Sequence, residues 1–281
     1  LLLNLLIDIP LRAAARRPGK PQTGAATAPA SVPRKPTERS WLLQPMQVGE
    51  GRYLIFLVLM SFFWVSFNQI FLTLPEYIRD YVDTSDLIAS LGPAAGAITG
   101  FFSQLGLDTS QWGRAVLKDG QIKPEHLINL NALGIIVGQV GISYVASRFS
   151  PLTTIMVGTL VTVLSFLLYL VGQAGWVIVV AILVFSVGEM LASPRSKEFA
   201  GRIAPPGKMG MYMGYFYWCI ALGNLFGGLI SGASYQHFGP AGVDAPDTMW
   251  LIFAALALTS AVLLWAYARW IAPRPQAAQA P

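Results

Sequence analysis

One carboxylate stands where the neighbouring residues are hydrocarbon. Glu189, in Gly188-Glu189-Met190-Leu191-Ala192-Ser193-Pro194, is the single charge between Trp176 and Ser193. An ionisable group inside a membrane span costs about 2.5–3.5 kcal/mol on insertion scales and as a rule binds or relays something. Glu189 could hold an amine or take up and release a proton. It could also merely pair with a neighbouring helix or reach toward the near interface. Three amides sit in other apolar runs: Asn68, Gln69 and Asn131. An amide in hydrocarbon needs partners, so Gln69 and Asn68 could contact a solute or join two helices. Asn131 begins its run and could do either, or cap the helix; Gln139 lies further along. Trp64, Tyr215, Phe216 and Trp218 could wall an apolar subsite or simply pack.

Other chemistries find no residues to carry them. The single cysteine, Cys219, allows no disulfide framework within the chain, and His126 and His237 are far apart in sequence. Neither a metal nor a cofactor is expected. No Ser/His pair, paired aspartates or His-x-x-Glu-His pattern points to an enzyme, and no nucleic-acid partner is expected.

The elements that must position these groups are membrane spans. Of 281 residues, 54% are hydrophobic and 12% charged, and the mean hydropathy is +0.54. An all-α polytopic membrane protein follows from these values. Six runs approach the ~20 apolar residues a bilayer requires: about 53–75, 130–147, 151–171, 176–194, 209–232 and 248–271, the fourth able to continue past Pro194 toward Arg202. Residues 1–11 read as the end of a preceding span. The chain opens on Leu1, with its basic residues after the apolar run, so it is expected to be the C-terminal part of a longer protein. Residues 12–52 are rich in Pro, Ala and basic residues and read as a tether, with a short interfacial helix possible at Trp41-Leu42-Leu43. Residues 272–281 are a tail.

Ile88 to Leu107 is ambiguous, nearly uncharged and long enough to span, yet interrupted by Gly92-Pro93, Gly96 and Gly100. Charge decides it. With six spans, Arg79, Arg114, Lys118 and Lys123 lie on one side and the remaining fifteen of the 19 Lys and Arg residues on the other. That asymmetry places linker and C-terminus in the cytoplasm. A seventh span would put the Arg195-to-Lys208 loop on the wrong side. Residues 76–129 are therefore expected to form an external loop with a partly helical segment against the interface.

A basic linker followed by six spans resembles the second half of a major facilitator superfamily transporter. Glu189-Met190-Leu191-Ala192-Ser193-Pro194, then Ala204-Pro205, Gly210, Met213-Gly214 and Ala221-Leu222-Gly223-Asn224 resemble the proton-dependent oligopeptide transporter family, over about 36 residues with the spacing kept. Phe63-Trp64 with Asn68-Gln69, and Asn131 before Ala132-Leu133-Gly134-Ile135, are similar to that family's seventh and eighth spans. Ala132 and Phe216 depart from it, standing where the family has Pro and Trp. The resemblance implies the C-terminal half of a twelve-span fold in a plasma (inner) membrane. It further implies symport of di- or tripeptides, or similar zwitterions, with protons. Substrate binding or proton coupling would fall to Glu189, Gln69, Asn131, Asn68, Trp64 and Phe216, facing a shared cavity, with a six-span N-terminal half, the lipid bilayer, a small solute and protons as partners. Another solute (a sugar, nucleoside or drug) on the same machinery, or a membrane scaffold, are the alternatives. Glycine pairs Gly210/Gly214, Gly223/Gly227 and Gly228/Gly232, four residues apart, are expected to pack helices closely.

Overall fold

Pro and Gly punctuation places most of the helix ends. The computed structural model describes residues 51–272 apart from Leu107, so the expected terminal span at 1–11, nearly all of the tether at 12–52 and the tail after 272 lie outside the described residues. The elements are α1 Gly51–Phe67, α2 Gln69–Leu72, α3 Leu74–Tyr81, α4 Ser85–Gln104, α5 Trp112–Val116, a hairpin of β1 Leu117–Lys118 and β2 Gln121–Ile122, then α6 Pro124–Ala146, α7 Pro151–Leu168, α8 Gly175–Ile203, α9 Met209–Phe238 and α10 Pro246–Trp270. Pro124, Pro151 and Pro246 open their helices, where a missing N–H costs nothing. At α7 the Ser150 hydroxyl accepts from the Thr153 N–H at 3.2 Å.

Among the described residues, six segments are long and apolar enough to cross a membrane: Gly51–Tyr81, which joins α1 to α3, and α6 to α10. The protein is thus an all-α, multi-pass membrane protein. The first span is broken twice. Phe71 and Leu72 both donate to the Asn68 carbonyl at 3.0 Å, tightening the turn. Pro75 has no N–H to give, and its ring crowds the carbonyl four residues back.

Several helices outrun their expected bounds. The first reaches Tyr81, adding a turn with Glu76, Arg79 and Asp80, and α6 starts at Pro124, so Asn131 lies two turns inside it. The continuation that the sequence left open for the fourth span is present: α8 runs through Pro194 to Ile203. Beyond Pro194, Glu198 pairs with both Arg195 and Arg202.

α7 packs between α8 and α10, α1 packs between α9 and α10, and α6 lies against α8. The core is largely aromatic. Trp250 packs against Tyr169 and Phe166 at a tilt and against Tyr77 edge-on toward one end of the bundle, while Tyr53, Phe56, Tyr212 and Tyr267 fill the other. Small residues set the α7–α8 distance. A Cβ on Gly158 would stand 2.7 Å from the Gly188 carbonyl oxygen, and one on Gly188 would stand 2.8 Å from that of Gly158.

The ambiguous segment is helical as α4 and is not among the six membrane-length helices. Its first turn is tied down firmly. Asp86 accepts from the Gly175 and Trp176 N–H groups at 3.2 and 3.1 Å, capping α8 from another element, and the Trp176 indole donates to the Ser90 hydroxyl. The hairpin turn Asp119-Gly120 has positive φ at both residues, 53° and 77°, as a type I′ turn requires. Gln121, leaving that turn, accepts from the Thr84 N–H and hydroxyl and donates to Asp83. The Ser85 N–H, then the Gln121 amide, then the Ser85 hydroxyl hold the Asp83 carboxyl below the usual carboxylate range.

Candidate functional site

Glu189 is aimed by its neighbour in sequence. Gly188 faces α7, and the next residue on a helix is turned by about 100°, which carries the carboxylate toward α6. There the Asn131 amide donates to Glu189 Oε2 at 2.9 Å. The Ser186 hydroxyl lies 2.7 Å from Asn131 Oδ1 and 2.8 Å from the Ile182 carbonyl, sharing one proton between them. Asn131 and Ser186 are buried and Glu189 is half-buried. Among the described residues no cation pairs with the carboxylate, and no donor reaches Oε1. The group can accept a proton or a ligand's ammonium at that second oxygen while the first stays fixed.

Glycines make the approach possible. On α6, Gly134 faces Ser186 and Gly138 faces Met190; added Cβ atoms would stand 3.3 and 3.1 Å from them. Ser186 was not singled out in the sequence, although it lies one helical turn before Glu189; the four-residue spacing of Gly134 and Gly138, which was not read as a packing pair, is the signal that could have located the approach of α6. Asn131 does not cap α6. Gln139 donates to Ser143 of its own helix at 2.7 Å.

Gln69 belongs to another cluster. Fully buried, it donates to the Val65 carbonyl at 2.8 Å and the Gly227 carbonyl at 3.2 Å, and accepts from Thr73 at 2.7 Å. Thr73 in turn meets Ser231 at 2.7 Å. These bonds fasten the broken first span to α9. Trp64 packs on Gly223, where a Cβ would overlap its own. Of the expected glycine pairs, Gly223/Gly227 serve this contact; Gly210/Gly214 and Gly228/Gly232 have open space beside them. Phe216 is buried in the core, and Trp218 and Tyr217 are exposed. The structure therefore brings Asn131 to Glu189 and commits Gln69, Trp64 and Phe216 to helix packing. Two buried donors near the break, the Asn68 amide and the Trp64 indole, have no protein partner among the described residues.

Comparison with known proteins fits this architecture. A family model described as Major Facilitator Superfamily matches residues 125–281. Two curated relatives from Bacillus subtilis (strain 168) are named as uncharacterized MFS-type transporters. YqjV is 31% identical over 113 residues, 40% of this chain and 27% of its own length. YttB is 28% identical over 115 residues, 40% of this chain and 29% of its own. The matched stretch thus spans less than a third of either relative. A crystal structure of a POT family transporter in complex with 5-aminolevulinic acid superposes with a TM-score of 0.59 at 15% identity, covering 83% of this chain and 45% of that one. At that identity the likeness is one of fold. With more than half of its residues matched by the family model and six spans in the same half-bundle arrangement, the chain belongs to the Major Facilitator Superfamily.

Proposed function

We propose that the chain supplies the C-terminal half of a secondary active transporter that carries small zwitterions, di- or tripeptides among them, together with protons. The observation that carries this reading is Glu189: a half-buried carboxylate held at one oxygen by Asn131 and, among the described residues, with no ion pair and no donor at its other oxygen. Such a group is costly in a span and suits a proton or a substrate amine. The interrupted first span with its unpartnered Asn68 and Trp64 donors supports a midplane site, because transporter sites form where helices are discontinuous. A six-span N-terminal half would close the site and provide the cation that Glu189 lacks. The excess of Lys and Arg on one side favours an inner-membrane protein with its linker and C-terminus in the cytoplasm. A carrier fits better than an enzyme, since Glu189 and Asn131 offer a binding and titrating group and no nucleophilic side chain is bonded to Glu189 among the described residues. The POT family transporter of similar fold was solved with 5-aminolevulinic acid, itself a small zwitterion.

Transport of another small solute by the same machinery is favoured by Gln69 and Phe216. Both would contact a peptide by family resemblance, and both are spent on packing here.

Glu189→Gln in the full-length protein tests the assignment, because it keeps shape and hydrogen bonding and removes titration. Uphill, gradient-driven uptake into proteoliposomes should fall at least tenfold at normal protein yield. Counterflow exchange survives if the role is proton coupling and is lost if it is amine binding. Lower yield and thermal stability, with transport per folded molecule unchanged, would make Glu189 a structural group. Competition of labelled dipeptide uptake by sugars and nucleosides separates the two substrate readings.

A further inference from the structure

α4 has a partition of side chains that the transport reading does not use. After Asp86, whose carboxylate caps α8, the sequence from Leu87 to Leu107 carries no charge. From Leu91 onward every large apolar residue (Leu91, Ile98, Phe101, Phe102, Leu105) falls within an arc of about 100° at 3.6 residues per turn. The opposite face holds Gly92, Gly96, Thr99, Gly100 and Ser103. The apolar face is bare: Leu91 is 47% exposed, Ile98 54%, Phe101 58% and Leu105 62%. The glycine face is equally open, for Cβ atoms at Gly92, Gly96 and Gly100 would meet nothing within 4 Å. Twenty residues of helix, about 30 Å at 1.5 Å per residue, are therefore held at their start and largely uncovered beyond it, save where Phe102 meets the Trp112 ring.

The point of attachment identifies what covers the apolar face. Asp86 and Ser90 are bonded to Gly175 and Trp176 at the end of a membrane-spanning helix. Trp176 is exposed there, an indole at the depth where headgroups meet acyl chains. The exposed flank of α8 below it, Val180, Leu183 and Val187, continues the same surface into the hydrocarbon. α4 thus begins in the headgroup plane, beside a lipid-facing helix, with one bulky apolar face and one small polar face.

We infer that α4 docks on the phospholipid surface at this end of the bundle, its Leu91-to-Leu105 face among acyl chains and its glycine, serine and threonine face toward water. With no Lys or Arg along it, apolar insertion alone holds it, and anionic headgroups are not needed. The helix is then an outrigger in the membrane plane, bonded to the first turn of the span that carries Glu189.

Single cysteines in an otherwise cysteine-free full-length protein test this. Cys219 is replaced by Ser, Ala94→Cys, Ile98→Cys and Phe102→Cys report the apolar face, and Gly96→Cys, Thr99→Cys and Ser103→Cys report the other. Each is spin-labelled and reconstituted in nanodiscs of phosphatidylcholine. Oxygen should relax the first three at least threefold more effectively than a water-soluble nickel chelate, and the chelate should dominate at Gly96 and Ser103. Immersion depth should be constant along the helix, and phosphatidylglycerol should change none of this. Chelate access at all six sites would mean that α4 stands in water. Protection from both reagents on the apolar face would mean that protein, such as a second copy, covers it. Depth that runs through the bilayer centre would make α4 a span, and a requirement for phosphatidylglycerol would mean charge holds it. Each of these four results overturns the inference.

Discussion

A carboxylate between two helices has only what its neighbours offer, and Glu189 is offered one amide. Asn131 joins α6 to α8 through that bond and through Ser186, so Asn131→Ala removes a donor from the carboxylate and an acceptor from the hydroxyl. Hydrogen bonds between spans contribute about 0.6 to 2 kcal/mol. A loss near 1 kcal/mol is expected for Asn131→Ala in thermal unfolding, and a smaller one for Ser186→Ala, because Asn131 keeps Glu189. A larger effect of Ser186→Ala would show that the triad is organised the other way round. At this scale the sequence was half legible. Glu189 stood out because nothing near it is charged. Its partner did not, since 58 residues separate the two and Asn131 at the start of an apolar run looks the same as a cap. Gln69 was ambiguous for a different reason: an amide offers the same two donors and one carbonyl to a peptide or to the Gly227 backbone.

Helices approach as closely as their smallest residues permit, and the glycines of this chain divide on that criterion. Gly188→Ala would bring a methyl to 2.7 Å from Thr162 Oγ1 and 2.8 Å from the Gly158 carbonyl, a backbone atom that cannot step aside. Overpacking of this kind costs about 1–3 kcal/mol. Gly228→Ala meets nothing within 4 Å and should be neutral or, through helix propensity, stabilising by up to about 1 kcal/mol. Thermal denaturation of both variants in detergent should separate them in that order; equal effects would mean α7 and α8 are not in backbone contact. The loop has its own chemical dependence. Because the folded carboxyl of Asp83 sits below its unfolded value, the support it gives is present above the unfolded pKa of about 4 and is lost as pH falls through the folded one. The protection of the Ser85 and Gln121 amides against hydrogen exchange, taken relative to their intrinsic rates, should therefore fall in acid, and Asp83→Asn should show the lower protection at every pH. Hydropathy revealed all six spans. It missed their ends, because the added turns at Glu76–Tyr81 and Pro124–Asn129 are too polar to register as apolar runs. It also missed the breaks in the first span, where only Pro75 gave a local signal.

For the whole molecule, the count of crossings is the quantity that everything else inherits. Three membrane-length helices, α6 to α8, separate the hairpin from the loop after α8, so Asp119 and Lys208 are expected on opposite sides of the membrane. Impermeant thiol reagents on intact cells should label Asp119→Cys and reach Lys208→Cys only after lysis; the reverse pattern, Lys208→Cys labelled from outside and Asp119→Cys only after lysis, would add α4 to the count. The sequence reached this arrangement through the placement of Lys and Arg, a property of the whole chain that no single run displays. What it could not show is which helices remain bare. Only 6% of the apolar stretch of α6 is buried, against 44% in α7 and 50% in α8, and burial depends on neighbours distant in sequence. The Gly158–Gly188 seat has a consequence for how such a chain can change over generations. A steric fit between two glycines fixes the azimuth of α8, and the acid beside them takes its heading from that fit. Replacing an exposed residue such as Val187 leaves the heading untouched. Inserting one residue between Gly188 and Glu189 swings it by about 100°, away from Asn131. This stretch can drift in spelling, but it cannot drift in length.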